Sequence, residues 1–283
     1  MKVVSKTMLA CSLAALFAAN ASADTFNPFA DAAASPAPFN QFTVTPYGPT
    51  VTQSFNADKI TGNYTEIATF NTNGTFNVSL YWNAGQFVGN NGNTSLNARE
   101  TGLGFDYGLY ALYSASGTYS TNNGATTFNF LPGSGALSLF LDRGVDTKVS
   151  ANPSSGSGQF SLAGTGNDIL LATGNPLSGE GNLNPNLSTC GPSGINCGSF
   201  GSQTSLSLTL DGKNFFVAPN PFYSLSFQSG HLNNFTPSGT QLINGSLDVA
   251  FDGTTPVPEP ASLALVGLGL LGVGAVRRRH KQA

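Results

Sequence analysis

Tyr64-Thr-Glu-Ile-Ala-Thr-Phe70, the turn signal Asn73-Gly74 and Thr75-Phe-Asn-Val-Ser-Leu-Tyr-Trp82 decide the fold class. Both runs are rich in aromatic and β-branched residues, which suit a pleated, half-buried surface, and Asn-Gly favours tight hairpin turns. Apolar and polar residues partly alternate along them, and a period of two sends successive side chains to opposite faces of a sheet. The alternation recurs more cleanly in Ala136-Leu-Ser-Leu-Phe-Leu141, Ser205-Leu-Ser-Leu-Thr-Leu210, Phe222-Tyr-Ser-Leu-Ser-Phe227 and Ser246-Leu-Asp-Val-Ala-Phe251. Asn91-Gly92, Asn123-Gly124, Asp211-Gly212 and Asn244-Gly245 punctuate these runs as further turn signals. The body offers no convincing long amphipathic helix. We therefore expect an all-β fold, an antiparallel β-sandwich of jelly-roll or other Greek-key layout. The stretches from Ser150 to Gly158 and from Gly174 to Gly201, rich in Ser, Gly, Asn and Pro, read as surface connections.

Outward from this body, both ends change character. Lys2 and Lys6, an apolar run from Met8 to Ala19 and the small-residue exit Ala21-Ser22-Ala23 describe a secretory signal peptide cut after Ala23. At the other end Val257-Pro258-Glu259-Pro260 precedes an unbroken apolar stretch from Ala261 to Val276, and Arg277-Arg278-Arg279-His280-Lys281 follows it. That stretch spans about 24 Å as a helix, short against a hydrocarbon core of about 30 Å. Gly267, Gly269, Gly272 and Gly274 weaken it further as a permanent anchor. The basic cluster (Arg277, Arg278, Arg279, Lys281) acts as a stop-transfer signal and stays cytoplasmic by the positive-inside rule. The expected organisation is a signal peptide (1–23), an irregular lead (24–40), a β-sandwich domain (41–255) and a sorting segment (256–283). Within the last, the motif is 257–260, a single transmembrane helix 261–276 and the basic tail 277–283.

This three-part order resembles the PEP-CTERM sorting signal. The resemblance implies recognition by exosortase, a membrane-embedded transpeptidase, after signal peptidase has acted. It also implies transient insertion in the inner membrane, a cut near Pro-Glu-Pro, and delivery to the cell surface or extracellular matrix. Glu259 is then a residue read by another enzyme. Four internal stretches, Ala57 to Glu66, Tyr81 to Phe87, Tyr107 to Tyr113 and Leu137 to Thr147, together with Phe26-Asn-Pro-Phe29, resemble the flocculation-associated PEP-CTERM subfamily. That likeness implies a role in holding cells in flocs within an exopolysaccharide matrix, and it brings no catalytic residues.

Between the two ends lie five basic residues, Lys59, Arg99, Arg143, Lys148 and Lys213, outnumbered more than two to one by acids. Such a body cannot neutralise a phosphate backbone, which excludes nucleic acid as a partner. Cys190 and Cys197, outside the cytoplasm and separated by flexible Gly and Pro, are expected to form a disulfide that pins a loop. His231 stands alone as a metal ligand or catalytic base, and no Gly-x-Ser-x-Gly elbow is present. Asp58, Glu66, Glu100 and Asp106 are candidate carboxylates for glycoside hydrolysis, each more simply read as structural. Asp142 and Asp146 are a weak calcium candidate without EF-hand spacing. Tyr81, Trp82, Tyr107, Tyr110, Tyr113 and Tyr119 could stack on sugar rings but read first as core and cross-strand pairs. The expectation is a non-enzymatic, exported matrix protein with no cofactor. The alternative is a secreted polysaccharide-binding or polysaccharide-processing protein.

Overall fold

A computed structural model describes residues 41–194 and 196–252. The signal-cleavage residues Ala21 and Ala23, the lead through Asn40 and the whole 256–283 segment lie outside the described residues. Among the described residues no helix is long and apolar enough to cross a membrane.

Two short strands, β1 (Phe42–Val44) and β2 (Phe55–Ala57), precede the long hairpin of β3 (Lys59–Phe70) and β4 (Thr75–Gly89). Then come β5 (Thr94–Ser95), a one-turn helix α1 (Ala98–Thr101), β6 (Gly108–Asn122), β7 (Ala125–Phe130) and β8 (Ala136–Asp142). A small hairpin of β9 (Lys148–Ala151) and β10 (Ser161–Ala163) leads to β11 (Ile169–Gly174), β12 (Pro176–Leu183) and β13 (Gly198–Thr204). The chain continues through β14 (Ser207–Leu208), α2 (Leu210–Phe215), β15 (Phe216–Ala218), β16 (Ser224–Leu232) and β17 (Gly239–Asp252).

Eight of these strands are neighbours in the cyclic order β6-β7-β12-β13-β16-β17-β3-β4, and β4 pairs back onto β6 from Thr75↔Thr118 to Asn83↔Tyr110. The all-antiparallel expectation therefore holds, but the sheet closes into an eight-stranded barrel where we expected a sandwich. Alternation states which side chains face a core. It is silent on whether that core lies between two sheets or inside one closed sheet.

The sheet forks at β6. Its second half, Gly117 to Asn122, pairs with β7 inside the barrel, while its first half, Gly108 to Ser114, pairs with β8. Strands β8, β11 and β14 leave from there as a side sheet. At the branch point the Ser134 hydroxyl accepts from the Ser116 N–H and donates to the Ser116 carbonyl, both at 3.0 Å. The hydroxyl thus satisfies the Ser116 N–H that the fork leaves without a ladder partner, and shares the Ser116 carbonyl with the Leu131 N–H at 2.9 Å. The sheet β15-β1-β2 closes one barrel end, where Phe42 packs edge-on against Phe251 with ring centroids 4.6 Å apart and against Phe216 at 6.0 Å.

Inside the barrel, large rings lie over glycines. A Cβ on Gly62 would stand 2.5 Å from Trp82 Nε1, so only glycine leaves room for the indole. The ring thereby crosses β3, and its N–H donates to the Leu247 carbonyl on β17 at 3.1 Å. Gly245 makes the same room for Tyr64, whose Oη would be 3.1 Å from an added Cβ. Asn244-Gly245 is accordingly mid-strand in β17, correcting its reading as a turn. Asp211-Gly212 is not a hairpin turn either: it lies in α2, capped by Thr209, whose Oγ1 accepts from the Gly212 N–H at 3.0 Å. Of the expected strand Ser205 to Leu210, only β14 is extended, because that cap opens a helix.

The stretch from Gly174 to Gly201 contains two barrel strands rather than a surface connection alone. In β12 the inward positions include Gly179, Gly181 and Leu183, and the two glycines lie against the rings of Phe130 and Phe128. The Ser150 to Gly158 connection is also packed: the Gly156 N–H donates to Thr69 Oγ1 at 2.8 Å, and Phe160 beyond it is buried against Tyr81.

Candidate functional site

Even-numbered residues of β3 face the lumen, which puts Glu66 inside, paired across the ladders with Leu80 on β4 and Ile243 on β17. Glu66 is 8% exposed. Among the described residues no hydrogen bond or ion pair reaches its carboxyl, and the one ion pair they form joins Lys59 to Asp248 at 2.7 Å. Burial away from water disfavours the charged form and pushes this carboxyl from 4.5 up to about 7.

Two phenols stand within electrostatic reach of Glu66. Tyr113 donates to Ser202 Oγ at 2.8 Å, and Ser202 donates in turn to the Ser178 carbonyl at 3.1 Å. Tyr64 is turned toward Ser229, yet neither hydroxyl completes a hydrogen bond. Burial, and secondarily the Glu66 charge, raises the Tyr64 phenol well above its ordinary value. Tyr113 is raised by burial as well, with Ser202 pulling the other way.

Around this polar spot the wall is aromatic. A cavity of about 30 Å³ is lined by Glu66, Phe70, Phe76, Phe128, Phe200 and Phe235, among others. A second, of about 10 Å³, runs deeper toward Tyr113, Ser202 and Phe227, and the two share Glu66, Val78, Phe130 and Phe200. The upper cavity is capped from the β16–β17 loop by Phe235, stacked on Phe70 at 5.6 Å and on Phe128 at 6.1 Å. Cys190 and Cys197 are joined as a disulfide. The loop they pin braces that cap: the Asn234 N–H donates to the Gly194 carbonyl at 2.7 Å, and the Cys197 N–H to the Leu232 carbonyl at 2.8 Å.

The other candidates have separate tasks. Asp58 and Glu66 stand eight residues apart along extended chain, about 26 Å. A glycosidase pair needs about 5–10 Å. Asp58 is buried and accepts from the Gly92 N–H at 3.3 Å, while Asp106 accepts from the Thr50 and Val51 N–H groups, both at 3.1 Å. Glu100 is exposed on α1. Asp142 is buried, with its two oxygens on the Gly144 and Thr147 N–H groups at 3.0 and 2.8 Å, and Asp146 is exposed beside it. Among the described residues no three His, Cys, Asp or Glu side chains cluster as a metal site.

The aromatic residues are mostly interior. Trp82, Tyr107 and Tyr113 are buried, and Tyr107 donates to the Thr101 carbonyl at 2.8 Å. Tyr81 and Tyr110 pack together on the outer barrel face, where Tyr110 donates to Asp168 at 2.6 Å and stacks on Phe140. Tyr119 is half-buried and bonded to the Asn71 carbonyl. The sequence pattern read Glu66 as a structural carboxylate, on the surface or salt-bridged, and passed over Phe235. The available signal was phase, since Glu66 falls in step with Tyr64, Ala68 and Phe70 on β3.

The model of the PEP-CTERM protein-sorting motif matches residues 256–279, which include Val257, Pro258, Glu259, Pro260 and Arg277 to Arg279. No curated protein and no solved structure matches the chain. The motif marks the chain as an exported, membrane-transiting substrate of exosortase processing. The motif, the apolar span and the basic tail lie outside the described residues.

Proposed function

We propose that the chain is a non-enzymatic surface or extracellular-matrix protein of the flocculation-associated PEP-CTERM subfamily, contributing to floc or biofilm formation with exopolysaccharide. The observation that carries this reading is the sorting motif at 256–279, which sends the barrel outside the cell. The four stretches that resemble the subfamily add support. They fall on β3, β4, β6 and β8 with its following turn, which are successive neighbours in the sheet and so make one continuous wall. Ser, Thr and Asn side chains, among them the paired hydroxyls of Thr69–Thr240 and Ser120–Thr127, give the outer faces hydrogen-bonding capacity with little charge.

Deletion of the gene tests the role: aggregation and the protein content of the matrix should both fall, and unchanged values of both refute it. Mass spectrometry of the extracellular protein should show a chain lacking Arg277 to Arg279. Incubation of the purified protein with the producer's own exopolysaccharide should generate no new reducing ends, and their appearance would favour a polysaccharide-processing enzyme.

A further inference from the structure

We propose that the upper half of the barrel lumen is a binding site for a small organic ammonium ion of about one-ring size, held by the Glu66 carboxylate and aromatic walls and covered by Phe235. This goes beyond the matrix role and does not depend on it.

Three observations converge. First, Glu66 is a carboxyl more than nine-tenths buried, without a hydrogen bond or ion pair from the described residues, and it faces both lumen cavities. A buried carboxylate lacking a partner is costly, so a cation that supplies the missing charge and N–H donors gains more there than a neutral guest. Second, the surrounding walls are π-faces. Phe70, Phe76, Phe128 and Phe200 present rings to the same space, and aromatic faces attract organic cations where bare hydrocarbon does not. Third, the cover is separable from the wall. Phe235 comes from the loop between β16 and β17, whereas the rings beneath it belong to strands.

The present cavity of about 30 Å³ holds about two water molecules. Withdrawal of the Phe235 ring frees the additional volume of a benzene ring, which sets the size of the guest. Eight-stranded barrels have an interior wide enough either to be filled by side chains or to hold one small ligand, and this lumen combines the two.

The titratable groups facing Glu66 are the phenols of Tyr64 and Tyr113. Burial holds both neutral across the working range, so proton exchange at the site belongs to Glu66. The remaining facing side chains, from Val78, Phe130 and Phe200 to Ile243, do not titrate.

The test uses the purified full chain and three probes of matched size: benzylamine, benzyl alcohol and toluene. Binding is followed by NMR through the Val78 and Ile243 methyl signals. An ammonium that selects the ionised carboxyl should bind about tenfold more tightly near pH 8.5 than near pH 6, as expected for a carboxyl titrating near 7. Benzyl alcohol and toluene should show no such dependence. Glu66→Gln should abolish the pH dependence of benzylamine while toluene binding, unchanged, reports an intact lumen. Phe235→Ala should strengthen binding of all three.

Equal affinity for benzylamine and benzyl alcohol near pH 8.5 overturns the proposal, as does a pH dependence that survives in Glu66→Gln. Failure of every probe to shift Val78 and Ile243, in both the wild type and Phe235→Ala, overturns it too.

Discussion

Replacing Glu66 by Gln should remove the pH dependence of stability that this one carboxyl imposes on the barrel. In the unfolded chain a glutamate titrates near 4.5, whereas in the lumen burial raises it to about 7. The protonated form is therefore favoured by folding. The contribution of Glu66 is fully present below about pH 4.5 and is lost progressively as the pH rises through 7, because folding must then either keep a proton or bury a charge. The gap between 4.5 and about 7 corresponds to about 3 kcal/mol. Glutamine has the same shape and cannot ionise, so its own penalty, an amide short of partners worth about 1–3 kcal/mol, is constant with pH. Urea unfolding of both proteins near pH 4.5 and near pH 8.5 isolates the effect, since all other titrating groups are common to the pair. The stability difference should move by about 3 kcal/mol in favour of the glutamine variant over that range. If it stays constant, Glu66 is hydrated or paired in the folded protein, and the desolvation argument fails along with the ligand site built on it.

Other substitutions probe the frame around that site. Gly62→Ala should destabilise the barrel by about 2–4 kcal/mol, because the new methyl collides with the Trp82 indole held over β3. Trp82 fluorescence in the folded variant should report the displaced ring. Converting both Cys190 and Cys197 to Ser should cost about 2–3 kcal/mol in chemical unfolding. Amide exchange should quicken first at Asn234, whose N–H rests on the pinned loop. Asp142→Ala removes the acceptor of the Gly144 and Thr147 N–H groups and should cost about 1–3 kcal/mol in thermal unfolding. Asp146→Ala, on an exposed side chain, should lie within about 0.5 kcal/mol of wild type.

The long hairpin was legible because each of its strands carries its own pattern: Tyr64, Phe70, Phe76, Val78 and Trp82 fall in phase, with Asn73-Gly74 between. Closure was not legible, since the ladder between β17 and β3 joins residues far apart in sequence and leaves no local mark. Strand β12 was hidden for a related reason. Two of its inward positions, Gly179 and Gly181, are glycines because neighbouring strands fill that space with phenylalanine rings, which leaves Leu183 as the apolar mark of that face. Asn244-Gly245 misled likewise, its glycine serving Tyr64 on the next strand rather than a bend. The carboxylates of Asp58, Asp106 and Asp142 look alike as letters, and only the fold shows that each ties down backbone N–H groups while Glu66 does not.

The pairing of β17 with β3 also sets an order of events during export. Twelve residue pairs join them, from Gly239↔Phe70 to Ala250↔Lys59, and no other strand can occupy that position in the ring. In a chain that emerges N-terminus first the ring therefore cannot be sealed until this last strand is available. That last strand ends at Asp252, and the matched sorting motif begins at residue 256. Three intervening residues reach at most about 14 Å when extended. The seam of the barrel is thus completed within a few residues of the segment that exosortase reads, so a chain presented for cutting has just gained the strand it needs to stand alone once released.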